Sequence, residues 1–299
     1  MLTLSENPAE PRPRCGFLHI PKTAGKSIRT ALTSTYAEAD SSPYQFDDVL
    51  FGNFDRYDTF AEPIRRRTLT RHDVPVMLDA RLVAGHLAYQ TITRFMDPGD
   101  VFTVVREPRA RLLSHQLYWS ARLPAMTAAY GDYQVERTAV DGLKRFLEQP
   151  AGAHQHDNLH VRLLCGADLP ADRPLLEAEL ADATERSLAN LRTLGAVLFV
   201  ESSSFWDDFT AFIGIDTPEL RENDMGATPV PVPFHGSQFD DETLEMLDAR
   251  TAGDRQVYLA VLRARLGVDD AGAIRLADRA FAKQVERYTR QVARDEATR

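Results

Sequence analysis

The sequence predicts an α/β fold, a central mostly parallel sheet flanked by helices, and three observations lead there. Four short apolar runs, at residues 15–20, 81–86, 101–106 and 196–200, read as buried strands. The segments between and after them carry apolar residues at helical spacing, and short strands alternating with helices call for a parallel sheet covered on both faces. The second and third runs are apolar until a polar residue, His86 or Arg106, at the C-terminal end, which is where ligands sit in open parallel sheets.

Taken in order, residues 1–13 read as a flexible leader, and residues 14–299 as a single domain ending in helices. A chain of 299 residues with 43% hydrophobic and 26% charged residues can bury a sizeable core, which excludes disorder, collagen-like repeats and a bare coiled coil. The strand at 15–20 leads through a loop to a helix starting near Gly25, whose Ile28, Ala31, Leu32 and Tyr36 share one face. Residues 40–79 hold turn formers, the basic run Arg65-Arg66-Arg67 and weak periodicity, so they read as an irregular insertion with short helices. Pro108 suits a first helical turn and opens a helix carrying Leu112, Leu113, Leu117 and Trp119 toward Leu123. Further helices are predicted near 139–148, 158–165 and 172–192. After the strand at 196–200, Ser202 opens a helix whose Phe205, Trp206, Phe209 and Phe212 read as core. Pro229, Pro231 and Pro233 mark a loop, and the tail is helical to near Ala297, with Ala277, Phe281, Val285 and Tyr288 at helical spacing. That last helix, from about residue 270, is a candidate partner surface, and an oligomer stays open.

A formal charge of −9 argues against nucleic acid as a partner, so an anionic ligand has to be caught by a local site. The 35 cationic residues include only four lysines, and two of them, Lys22 and Lys26, share one short segment. Cys15 and Cys165 are too few for a disulfide framework or a cysteine metal site and are expected as buried thiols in a reducing compartment. The start of the chain carries Glu6 and Glu10 in place of an apolar stretch, and no run approaches the ~18 to 20 apolar residues of a membrane span, so a cytoplasmic protein is expected.

His19-Ile20-Pro21-Lys22-Thr23-Ala24-Gly25-Lys26-Ser27 falls between strand and helix, where backbone N–H groups and a helix N-terminus can receive an anion. Lys22 and Lys26 add charge, Thr23 and Ser27 offer hydroxyls, and Gly25 lets the backbone approach closely. Gly25-Lys26-Ser27 matches the end of a Walker A loop, but Ile20 and Pro21 stand where that loop begins with glycine. The plain alternative is a surface turn with two lysines. A second segment, Val104-Val105-Arg106-Glu107-Pro108-Arg109-Ala110-Arg111-Leu112-Leu113-Ser114, ends its strand in arginine, whose planar fork suits phosphate and binds no metal. Walker proteins usually carry a magnesium-holding Asp there. Arg111, Ser114 and Tyr118 fall on one face of the following helix.

Residues Phe17 to Ser27 closely resemble the opening His-Ile-Pro-Lys-Thr-Ala-Gly-Thr-Ser of the carbohydrate-type sulfotransferases that use 3'-phosphoadenosine 5'-phosphosulfate (PAPS), with Lys26 in place of the usual Thr or Ser. Arg106 to Ser114 resemble that family's 3'-phosphate motif, Arg-Asp/Glu-Pro-x-x-Arg-x-x-Ser. Ala84-Gly85-His86-Leu87 is similar to its Gly-His segment, Asn158 to Gly166 to its Asn-x-x-x-Arg-x-Leu-x-Gly stretch, Phe199 to Phe205 to its later strand-to-helix segment, and Asp254 to Tyr258 to its late Asp-x-x-x-Tyr. The resemblance spans about residues 14–266 and implies a P-loop-like sulfotransferase fold that transfers a sulfuryl group from PAPS to a hydroxyl, with a glycan or glycoside as the expected acceptor and no metal. It implies that Lys22 acts on the leaving phosphate, that Lys22, Thr23, Ala24, Gly25, Lys26 and Ser27 hold the 5'-phosphosulfate, that Arg106 and Ser114 hold the 3'-phosphate, and that His86 is the base. An ATP-dependent small-molecule kinase with a degenerate Walker loop is the alternative, and a nucleotide- or sulfoglycan-binding module a third class.

Other patterns carry less. His154-x-His156 with His160 has metal-like spacing but no evident fourth ligand, and reads as a polar loop beside the acceptor cleft. Arg65-Arg66-Arg67 with Arg71 could meet an acidic acceptor, but such a run is usually a solvated face.

Overall fold

The computed structural model describes residues 14–42, 45–47, 58, 60–69, 80–121, 139, 141–214 and 239–298. The elements run β1 (Cys15–Leu18), α1 (Gly25–Thr35), β2 (Gln45–Asp47), α2 (Glu62–Arg65), β3 (Thr68–Leu69), β4 (Leu82–His86), α3 (Tyr89–Ile92), β5 (Val101–Val105), α4 (Pro108–Ser120), α5 (Leu143–Glu148), α6 (Ala153–His156), α7 (Leu159–Leu164), α8 (Glu177–Leu191), β6 (Ala196–Phe199), α9 (Phe205–Ile213), α10 (Asp241–Arg250), α11 (Ala252–Leu266) and α12 (Asp270–Thr298). Six strands form one all-parallel sheet in the order β3-β2-β4-β1-β5-β6. Both predicted cysteine thiols are buried and free. No helix among the described residues is long and apolar enough to cross a membrane.

Alternation along the strands splits the core between the two faces of the sheet. Phe17, Ala84, Phe102, Val104 and Leu198 pack with Ile28 and Leu32 of α1 and Phe209 and Ile213 of α9. Leu18, Val83, Val101 and Val105 pack on the opposite face with Leu112, Leu113 and Leu117 of α4 and with α3 and α7. Strands buried on both sides read as continuous apolar runs, which is why they were legible.

The segment expected to be irregular also contributes structure: β2 and β3 extend the sheet past β4, as Phe46 pairs with His86 and with Thr68. At three and two residues these strands are too short for a period-two pattern to register. The predicted strands at 15–20, 101–106 and 196–200 stop slightly early, at Leu18, Val105 and Phe199, where the chain leaves the sheet into loops. The leader, Arg71, Leu123 and the loop prolines Pro229, Pro231 and Pro233 lie outside the described residues.

Pro108 opens α4 and the Glu107 carboxylate caps it, accepting from Ala110 N at 2.7 Å. The tail is three helices, with a left-handed Gly267 (φ 65°) ending α11. α12 returns along α4: Arg109 pairs with Asp278 at 2.8 Å and lies 4.3 Å over the Phe281 ring, and Tyr288 Oη donates to Gln116 Oε1 at 3.0 Å. The apolar face of the expected partner helix is therefore used within the chain, with Ala273, Ala277 and Tyr288 buried.

Phe102 is fully buried and stacks on Phe17 at 4.7 Å between ring centroids. Phe102→Ala is expected to lower stability by about 3–5 kcal/mol, read as a shifted denaturant midpoint at unchanged slope; a loss below about 1 kcal/mol would mean that this face of the sheet is not packed as described.

Candidate functional site

Three neighbouring parallel strands end side by side. Leu18 of β1 pairs with Gly85 of β4 and with Thr103 of β5, so the residues that follow, His19 onward, His86 and Arg106, emerge at one edge of the sheet. His19 N donates to Gly85 O at 2.9 Å and Thr103 Oγ1 to Leu18 O at 2.8 Å, which fixes that edge.

The loop from β1 into α1 places two non-glycine residues in the left-handed region, Lys22 (φ 71°) and Ala24 (φ 64°). Such conformations persist only where the surroundings impose them, and alternation of this kind turns successive N–H groups toward one side. Ala24 is the N-cap of α1 and supplies no side-chain cap, so the first amides of the helix are suited to an anion. Thr23, fully buried, donates its hydroxyl to Ile20 O at 2.8 Å; its proton is committed to the loop itself. Gly25 is required by a different neighbour than expected: a Cβ there would come 1.7 Å from Nε2 of His19, whose ring fills the space beneath the loop. Lys22 is half-buried with Nζ 4.3 Å over the Tyr118 ring on α4, Ser27 is buried and Lys26 is exposed.

His86 closes β4. Its Nδ1 lies 2.8 Å from His19 O, and a carbonyl can only accept, so Nδ1 carries the proton and Nε2 presents a lone pair. The His86 ring lies 4.2 Å from that of His19 and stacks on Phe46 at 5.6 Å, and the Arg67 guanidinium lies 4.9 Å over the Phe46 ring. Burial, with the charges of Arg67 and Arg29, outweighs the His19 hydrogen bond and holds the His86 pKa down to about 4. The imidazole is neutral near pH 7. Buried Asp47, at the end of β2, accepts from Ala88 N at 3.2 Å and from Thr91 Oγ1, anchoring the chain just after His86.

Arg106 follows β5. Its Nη1 donates to Lys22 O at 3.2 Å and its Nη2 to Gln284 Oε1 of α12 at 2.8 Å, so one guanidinium ties the anion loop to the C-terminal helix. Burial pulls its pKa below the usual arginine value, and Glu201 opposes that shift. Glu201, at the end of β6, accepts from Glu107 N at 3.1 Å and from Tyr258 Oη at 2.9 Å. Ser114, one helical turn beyond Arg111, is buried on α4.

Neither a protein-family model nor a curated protein matches the chain. What the site can do therefore rests on its own geometry: a cationic loop, a neutral imidazole with a fixed tautomer and the Arg106 guanidinium, on three adjacent strand ends. His154, His156 and His160 are buried, and His154 and His156 hydrogen-bond to Ala171 O and Gln149 O at 3.2 and 2.9 Å; no group suited to a metal occurs among the described residues. Sequence reading missed Asp47, Gln284 and the bridging role of Arg106. Asp47 sits in a strand too short to detect, and Gln284 is 178 residues from its partner with no local signature.

Burial holds His154 to about 4 and His156 to about 3, against their hydrogen-bonded carbonyls, and holds His19 and His115 well below the ordinary histidine value. The unfolded chain binds these protons more readily, so stability is present above about pH 6.5 and is lost as pH falls from there toward 4. Each such buried histidine should cost up to roughly 2 kcal/mol at about pH 5. Thermal unfolding between about pH 7 and pH 5 checks this: the midpoint should drop, and a midpoint that stays level would show that these rings are not held neutral.

Proposed function

We propose that the chain is a PAPS-dependent sulfotransferase of the P-loop-like type, moving a sulfuryl group to a hydroxyl acceptor of the carbohydrate class. The observation that supports this reading is that Lys22, His86 and Arg106 follow three adjacent strand ends, which offers a nucleotide with two anionic ends two cationic holds, with a neutral imidazole on the strand next to the Lys22 loop. The donor, when bound, supplies an activated sulfuryl group on a phosphate leaving group. Lys22 and the loop amides hold and neutralise the 5'-phosphosulfate, and the charge of Lys22 counts most as negative charge gathers on the leaving oxygen. Arg106 and Ser114 hold the 3'-phosphate. The acceptor proton passes to Nε2 of His86 while the acceptor oxygen bonds to sulfur and the sulfur–phosphate oxygen bond breaks. In-line transfer of this kind needs positioning and charge stabilisation more than covalent help.

Gly25-Lys26-Ser27 also favours a kinase reading, but Lys26 is exposed and the strand after which a magnesium-holding acid would stand is followed by Arg106. Label transfer from radiolabelled PAPS to a panel of glycosides separates the two readings, with ATP and magnesium as the parallel arm. Product in the ATP arm alone would replace the sulfotransferase.

Losing a charge-assisted contact should cost roughly 1.5–3 kcal/mol. By calorimetry, Arg106→Ala should weaken adenosine 3',5'-bisphosphate by that amount and adenosine 5'-phosphate far less. Equal losses would assign Arg106 to bracing the loop through Lys22 O.

His86→Ala should lose about 10² to 10⁴ in turnover and keep product-nucleotide affinity, and His86→Asn should fare no better, since an amide cannot take the proton. With His86 near 4 in the free protein, the acid limb of kcat/KM should lie near that pH; the negative charge of bound nucleotide favours imidazolium, so the limb of kcat should lie higher. Turnover above about a third of wild type in His86→Ala would remove it as the base.

A further inference from the structure

The solvent side of α12 concentrates charge of one sign. Arg275, Arg279, Lys283, Arg287 and Arg290 are all exposed, and steps of four, four, four and three residues keep them along one side of the helix. The other side is buried, with Ala273, Ala277, Gln284 and Tyr288. The carboxylates of the same stretch are each engaged by an arginine: Asp270 by Arg263, Asp278 by Arg109 and Arg255 at 2.8 and 3.3 Å, and Glu286 by Arg290 at 3.1 Å. This basic ridge belongs to a chain whose formal charge is −9.

The ridge meets the strand-end site at one point. Gln284 Oε1 accepts from Arg106 Nη2 at 2.8 Å, and Arg287 stands one helical turn further on. The charge of Arg287 is felt at the Arg106 guanidinium, where Glu201 and Glu107 act in the opposite sense. With a rise of about 1.5 Å per residue, Arg279 and Arg275 lie about 12 and 18 Å from Arg287 along the axis. A nucleotide with phosphates at both ends carries roughly −3 to −4 near pH 7. The net charge of the chain repels such a ligand, and the carboxylates beside Arg106 add to that. A row of exposed cations leading to the site reverses the local field, and fields of this kind raise association rates by about 10 to 10³.

We propose that the exposed basic ridge of α12, with Arg287 at its inner end, is an electrostatic guide that captures an anionic nucleotide from solution and delivers it to the strand-end site. The proposal rests on the reading of that site as one for such a nucleotide and adds to it the surface through which the ligand arrives. The guide acts during approach and does not grip the bound ligand, so its charges govern association and its salt dependence and leave dissociation alone. It also gives the C-terminal helix a use for its polar side, the buried side being spent on packing within the chain.

The test is stopped-flow association and dissociation of fluorescently labelled adenosine 3',5'-bisphosphate with the full chain, wild type and the charge reversals Arg287→Glu, Arg279→Glu and Arg275→Glu. At about 0.1 M salt, where charges act over about 10 Å, the effect should fall with distance from the site. Arg287→Glu should slow association about three- to tenfold, Arg279→Glu less, and Arg275→Glu under about 1.5-fold. Dissociation should stay within about twofold of wild type in all three. Arg287→Gln, which removes the charge without reversing it, should fall between wild type and Arg287→Glu. At about 1 M salt, where the range shrinks to about 3 Å, every variant should associate as wild type does. That convergence also shows that the substituted chains are folded. Equal slowing by the three reversals would overturn the guide, because net charge alone would then explain it. Slowing that persists at about 1 M salt, or faster dissociation of Arg287→Glu, would overturn it too, since Arg287 would then touch the ligand or support the fold. A wild type that binds no bisphosphate by calorimetry would sink the nucleotide reading and the guide together. Binding with Arg287→Glu associating as fast as wild type would sink the guide alone.

Discussion

The parallel pairing of β1 with β4 on one side and β5 on the other is the constraint on which the rest of the site depends. Register is all or nothing in a strand buried on both faces, because a one-residue slip would exchange the two halves of the core. Phe17 and Phe102 pack on the α1 side, Leu18 and Val101 on the α4 side, and neither set can move to the other face without exposing the packing partners of both. Once that register is set, His19 and His86 leave the sheet at the same level and Arg106 two residues beyond them, all at the C-terminal ends of neighbouring strands. The core therefore positions the chemistry, although none of its residues takes part in it.

Positive charge at this edge brings the opposite problem. Arg106 and Arg111 are withdrawn from water within a few turns of one another, and burial disfavours the charged form of both. Arg106 gains neutral acceptors, a loop carbonyl and Gln284, with Glu201 and Glu107 supplying charge from nearby. Neutral acceptors satisfy N–H groups without neutralising them, so the site keeps its attraction for an anion. A carboxylate at position 284 would satisfy Arg106 more strongly and compete with any phosphate.

Much of this was legible in the sequence, for specific reasons. The four longest strands were visible as apolar runs because both faces of a parallel sheet are buried, and α1 and α4 because their apolar spacing and Pro108 mark them. The loop at Lys22 and the strand-end residues His86 and Arg106 could be located because they sit at strand termini, where sequence order and spatial order coincide. What was hidden is what depends on tertiary contact. β2 and β3 have too few residues to show a period, yet β2 supplies Phe46 and Asp47, which pack and anchor the region of His86. Gly25 carries a loop-like signature whose actual neighbour is an imidazole, and nothing local to residue 284 refers to residue 106.

The C-terminal helix shows how such a contact changes the reading of an element. By sequence it is an amphipathic tail, suited equally to solvent, to a partner or to its own domain. In the structure, Arg109, in the first turn of α4, holds Asp278 and covers Phe281, and Tyr288 reaches Gln116, so the helix is fastened to α4 at three successive levels along its own length. Gln284 lies between the last two and is the point at which that fastening meets the anion loop, through the guanidinium that also grips Lys22 O. Arg106 cannot move toward a ligand without loosening the helix, the loop or both. A ligand held through Arg106 would thus be coupled to how α12 is seated, so a helix far along the chain from the Lys22 loop belongs, in energetic terms, to the same site.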